Sequence, residues 1–253
     1  VTPSDLRSMK KIELHRHIEG CITPDFLRQQ VRKYEPGHAW VRPGAIEELL
    51  TFTTFQGFVQ AWLSSMRFLR TPEDLEELCG RVSTQMKDEN IVYAELLFSP
   101  DFFMRAGLEF TPLMTGMHRV FEKHQVRTRI ILDLVRNYGP EAARDHLKVI
   151  LPAIRESPVL KEWIVAVSLG GDEVGFPARL FEEPFRRVHE AGLAVCCHAG
   201  EMGDAASIWD ALRLLKARRI GHGIAAVTDP ELMSHLRSQE IGLDLSLTSN
   251  QIT

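Results

Sequence analysis

From Lys11 onward the chain alternates. Short apolar runs of strand length are separated, one at a time, by stretches whose apolar residues recur at helical spacing. The runs Lys11–His17, Ile91–Phe98, Thr128–Val135, Ile164–Ser168, Ala194–His198, Arg219–His222 and Gly242–Ser246 read as strands. Leu75–Lys87, Leu113–His124, Glu141–Ile154, Phe181–Glu190, Ser207–Leu215 and Pro230–Gln239 read as the helices between them. Strands joined through single helices pair in parallel. Seven such β/α steps in 253 residues predict one domain over 1–253, an α/β fold of the (β/α)8 TIM-barrel type. No Gly-x-Gly-x-x-Gly follows the first strand, which counts against an open dinucleotide-binding sheet. An eighth strand is missing before Thr253. Seven strands would leave two edges open, so the expectation is a natural chain that continues past this point.

The helices have legible starts. Thr23-Pro24, Thr71-Pro72 and Thr111-Pro112 each offer an N-cap hydroxyl followed by a proline suited to the first helical position. Between about Tyr34 and Arg70 lies a helical insertion after strand one, with Phe52, Phe55, Phe58, Trp62 and Phe68 spaced along a helix face. Such a face fits either core packing or a lid over a ring-shaped ligand.

The formal net charge is −4, and no Lys/Arg run is long enough for a polybasic patch. Neither a nucleic acid nor a membrane surface is expected as a partner. No apolar stretch approaches the roughly 20 residues of a membrane helix, and Val1–Lys10 lacks a signal-peptide core. A cytoplasmic protein acting on small molecules is the expectation; oligomeric state is left open. The four cysteines, Cys21, Cys79, Cys196 and Cys197, contain no Cys-x-x-Cys pair and read as reduced core thiols.

In barrels of this type the chemistry sits at the C-terminal ends of the strands. The notable polar residues fall there: His15 and His17 on strand one, Gly171 and Asp172 after strand four, His198 and Glu201 at and after strand five, and His222 on strand six. Residues i and i+2 of a strand share a face, so His15 and His17 can point the same way. Together with His198 they would suit a catalytic Zn²⁺ that keeps one position for water; three hydrogen-bonded histidines without metal is the other reading. Glu201, three residues beyond His198, could act on the same water or its target as a general acid/base, or be a plain surface carboxylate. His222, between Gly221 and Gly223, could polarise that water or bond to backbone instead.

Several blocks, in order and across nearly the whole chain, resemble the adenosine deaminase family of metal-dependent amidohydrolases, its bacterial members above all. They are His15-Arg-His-Ile-Glu-Gly20, Phe98-Ser-Pro100, Ser168-Leu-Gly-Gly-Asp-Glu173, His198-Ala-Gly-Glu201, Arg219-Ile-Gly-His-Gly223 and Leu247-Thr-Ser-Asn250. The resemblance implies one zinc ion per chain held by His15, His17 and His198, with His17 also bordering the substrate. It implies Glu201 as proton donor to the purine ring nitrogen beside the reacting carbon, and His222 as the group orienting hydroxide. Gly171 would meet another ring nitrogen with its backbone, and Phe55, Phe58, Val59 and Trp62 would form the apolar wall over the ring. The implied reaction is hydrolytic deamination of adenosine to inosine and ammonia. Glu19 stands where the family usually has a ribose-binding Asp, so adenine or a 5′-modified adenosine is an alternative substrate. The family's Asp-Asp pair after strand eight, the first a zinc ligand, has no counterpart in this sequence. That keeps a catalytically silent purine-binding relative or fragment as an alternative of another class.

Overall fold

A computed structural model describes residues 2–252, apart from a few side chains that include that of Phe55. The chain forms two compact units, one built mainly from residues up to Leu96 with Thr111–Thr128, the other from Leu97–Phe110 with Arg129–Gln251.

In the first unit β1 (Lys11–His17) neighbours β2 (Ile91–Phe98) in the sheet order. The helix Pro24–Tyr34 begins as its sequence predicts: Pro24 is the first residue, and the Thr23 hydroxyl accepts from the Phe26 amide at 3.3 Å. Thr71 and Asp74 cap the helix Pro72–Asp88 reciprocally, each side chain accepting from the other's amide. The third Thr-Pro behaves differently. Its helix runs Phe110–Lys123, so Thr111 lies inside it rather than capping it. Phe110 is buried (2% exposed) at that start, two residues before the Pro112 that the Thr-Pro pattern would put first.

The insertion contains the helices Ala45–Leu49 and Phe55–Met66. Its aromatic residues divide between two jobs. Phe68 is fully buried with Leu27, Val31 and Ile46, and Trp40 packs on this cluster. Phe68 is therefore core and not part of a lid face. Phe58 stays 37% exposed, its ring 5.4 Å from that of Phe52, while Val59 and Trp62 are half-buried.

In the second unit the strands follow in chain order: β3 (Thr128–Val135), β4 (Ile164–Gly170), β5 (Ala194–Ala199), β6 (Arg219–His222) and β7 (Gly242–Asp244). The pairs from β3 to β7 are all parallel. Leu97, Ile131 and Ala166 pack together beneath Val165 and Cys196. β7 stops two residues before the predicted Ser246: Leu245 and Leu247 are 54% and 75% exposed, so no burial holds them in the ladder. The helices Pro100–Arg105 and Pro158–Trp163 were not legible in the sequence, because six residues are under two turns and show no period. Sheet order equal to chain order, with helical crossovers, is the strand order of the (β/α)8 class, with seven strands among the described residues. No helix among those residues is long and apolar enough to cross a membrane.

Candidate active site

His15 and His17 stand on β1 in the first unit. Their rings lie edge to face with centroids 5.4 Å apart, as two side chains on one strand face should. Glu19 follows in a short 3₁₀ turn and is buried, 2% exposed.

The second unit brings His198, Glu201 and His222 together. β5 carries His198 to its end, and the register sets it opposite Gly221, with Ala199 opposite His222. A glycine facing one histidine and an alanine facing the other leave space for two imidazoles on adjacent strands. Their ring centroids lie 5.5 Å apart, and both side chains are buried. His222 has φ +65°, in the left-handed region that non-glycine residues rarely occupy. Holding it there costs on the order of 1–3 kcal/mol, a cost found concentrated at functional sites. Asn250 Nδ2 lies 2.9 Å from His222 Nδ1. The contact holds the ring from its Nδ1 side and turns the other ring nitrogen, Nε2, toward Glu201. That nitrogen sits 3.5 Å from Glu201 Oε2. Sequence reasoning named Glu201, His222 and His198; the structure places all three in one cluster.

It adds members that reasoning from sequence missed. Asp133 of β3 is buried, and its Oδ1 lies 3.6 Å from His198 Nδ1, while Ser168 Oγ of β4 lies 3.4 Å from the same nitrogen. Asp133 and Ser168 are register partners, and both side chains approach His198 from these neighbouring strands. The signal was a single acid inside the apolar run Ile130-Ile-Leu-Asp-Leu-Val135, since buried aspartates are rare unless they are paired. Gly170 makes the room: a Cβ there would fall 2.4 Å from Asp133 Oδ2. Arg136 is the other omission. It is 1% exposed, and its guanidinium donates to the carbonyls of His198 at 2.6 Å, Leu169 at 3.1 Å and Phe176 at 3.2 Å, tying β5 to β4 below the histidine. Burial pushes the neighbouring Cys197 thiol up to about 11 despite Arg136, so it is protonated at neutral pH and is no nucleophile.

Gly171 and Gly200 both require glycine. Gly171 has φ +103°, and a Cβ would meet Asn137 Oδ1 at 2.4 Å. Gly200 has φ +67°, and a Cβ would meet Ile208 Cδ1 at 2.6 Å. Gly200→Ala therefore combines left-handed strain with overpacking. It is expected to destabilise the protein by about 2 kcal/mol or more, read as a lowered denaturant midpoint at unchanged m-value. An unchanged midpoint would contradict the tight turn described for this loop.

The chain has relatives whose names bear on this cluster. It is 30% identical over 250 residues to aminodeoxyfutalosine deaminase of Streptomyces avermitilis, spanning 99% of this chain and 70% of that one. It is 30% identical over 249 residues to adenine deaminase of Bordetella parapertussis, spanning 97% and 76%. The crystal structure of adenine deaminase from Arthrobacter aurescens superposes with a TM-score of 0.86 at 26% identity, covering 94% of this chain and 72% of that one. The family profile described as adenosine deaminase matches residues 10–253. A histidine–carboxylate cluster at the strand ends of a β/α barrel, matched along nearly its whole length, places this chain in the adenosine deaminase family of hydrolytic deaminases.

Proposed function

We propose that this protein removes the 6-amino group of an adenine-type ring by zinc-dependent hydrolysis, releasing ammonia and leaving the 6-oxo purine. One observation carries the reading: Glu201, His222 and His198 are gathered at the ends of adjacent strands in a chain of this family.

His15, His17 and His198 would hold the ion. The donor chemistry fits. Neutral imidazoles suit zinc, and His198 meets a hydroxyl at Nδ1, the kind of outer contact that orients a metal-binding histidine and directs coordination to Nε2. A bound zinc ion supplies the means to lower the pKa of water to about 7, making hydroxide available at neutral pH.

The rest is the work of the chain. Glu201 passes a proton to the ring nitrogen beside the reacting carbon, which makes that carbon electrophilic as oxygen adds. His222, fixed by Asn250, orients the incoming oxygen through Nε2. Gly171 presents backbone to a second ring nitrogen, a role that needs close approach and no side chain. Phe58, Val59 and Trp62 cover the ring and exclude water, which strengthens every charge interaction inside.

Adenosine is one candidate substrate. Glu19 and the relatives named above weigh equally for free adenine and for adenosine altered at the 5′ position. The test is kcat/KM for adenine, adenosine and 5′-substituted adenosines, with ammonia release as the readout. Glu19→Asp shortens the carboxylate by one methylene and is expected to move the preference toward adenosine by about 10-fold or more. An unmoved ratio would remove Glu19 from sugar recognition. Binding of these purines with no ammonia from any of them would point to a silent binding protein instead.

A further inference from the structure

The loop that carries Glu201 is bound to a second, buried carboxylate that plays no part in the reaction above. Glu173 is 4% exposed and lies in the loop after β4. Its Oε2 accepts from the Gly200 amide at 2.8 Å and lies 3.0 Å from the Ser207 hydroxyl. Its Oε1 accepts from the Met202 amide and from the Gly203 amide at 2.5 Å. The amides immediately before and after Glu201 thus both end on one side chain. Glu201's own carboxylate, by contrast, is at His222 Nε2, 3.5 Å away.

Both loops are shaped for this contact. Asp172 Oδ1 accepts from the amides of Val174 at 3.1 Å and Gly175 at 2.9 Å, closing a tight turn that fixes Glu173. The Asp172 amide donates to Asn137 Oδ1 at 3.0 Å, anchoring the turn to the segment after β3. On the other side, Gly200 takes the left-handed conformation, and Gly203 has no side chain where a Cβ would lie 3.1 Å from the Glu173 carboxyl. A buried carboxylate is expensive unless its oxygens are satisfied, and successive amides converging on an anion are an effective way to satisfy them. The same bonds hold the backbone before and after Glu201 through the amides of Gly200, Met202 and Gly203.

We propose that Glu173 is a positioning residue for Glu201, holding the loop so that the proton-donating carboxyl sits beside His222. The proposal rests on the reading of Glu201 as proton donor. A loose loop would still fold and bind ligand, but the carboxyl would wander, and misplacement by about 1 Å costs roughly 10²-fold in rate.

The test is a double-variant cycle on the full chain: Glu173→Gln, Glu201→Gln and both together. It uses kcat and KM on the best aminopurine, zinc content, and hydrogen exchange of the loop amides. Gln keeps the shape but sets an amide group against amide donors. Glu173→Gln is expected to lower kcat by about 10–10², with KM within about threefold, zinc content unchanged, and faster exchange at Met202 and Gly203. Added to Glu201→Gln, it is expected to cost nothing further, because it acts only through that residue. If the two losses multiply, or if exchange at Met202 and Gly203 is unchanged, the positioning role is wrong. Near-normal turnover of Glu201→Gln alone would instead sink the proton-donor reading itself. Should Glu173→Gln fail to fold, Ser207→Ala removes one of the contacts. It is expected to lower kcat by about 2–10-fold without adding to Glu201→Gln, and an additive loss overturns the proposal equally.

Discussion

Glu201→Gln is expected to lower kcat by about 10²–10⁴ while zinc content and fold stay as in the parent. The substitution is isosteric and removes only the ability to carry a proton and a charge. The carboxylate is half-buried, 3.5 Å from His222 Nε2, in a loop whose backbone is held from the other side. A side chain so placed has one chemical use that its amide cannot match: it can give up a proton and take one back within a turnover. KM should change far less than kcat, since a proton delivered to the ring nitrogen is an interaction gained mainly in the transition state. The check is steady-state kinetics beside metal analysis on the same preparation. A rise in KM at constant kcat would make Glu201 a substrate-binding group instead of a proton carrier.

His198→Ala is the second large effect. It should weaken zinc binding by more than about 100-fold, the upper end for losing an outer-shell partner, and activity should fall with metal occupancy. His198 is 6% exposed at the end of β5, with its Nδ1 near Ser168 and Asp133 and its backbone carbonyl bonded by Arg136. The contacts from Ser168 and Asp133 restrict the orientation of the ring. The backbone contact from Arg136 does not involve the side chain, so the strand should survive the truncation. Competition against a chelator of known affinity reads the metal directly, and far-UV circular dichroism shows whether the fold is intact. Parent-like zinc affinity in a folded His198→Ala protein would remove this residue from the metal site.

The fold was largely readable because most of its strands, β1 and β6 apart, are apolar runs bounded by turns. β1, β2, β3 and β6 have the predicted limits residue for residue, and β4 and β5 extend slightly further. β7 was overestimated because the pattern of Gly242–Ser246 says nothing of whether a neighbour covers Leu245. The candidate site divides in the same way. His198, Glu201 and His222 could be named because each sits at or just past a strand end, where position alone implies a shared rim. Asp133 could not, since its contact with His198 depends on the mutual register of three strands, which no local stretch encodes. Arg136 reads in the sequence as an ordinary basic residue after a strand. Only the carbonyls left pointing at it by β4 and β5 explain why a guanidinium is buried there. Asn250 was legible as the end of the Leu247-Thr-Ser-Asn250 block, but its contact with His222 was not.

The most direct test of the account is a zinc titration of metal-stripped protein, following ammonia release from adenine, adenosine and 5′-substituted adenosines. The account predicts that activity on at least one of them rises linearly and saturates at one ion per chain. A fully loaded, folded protein that frees no ammonia from any aminopurine would contradict it.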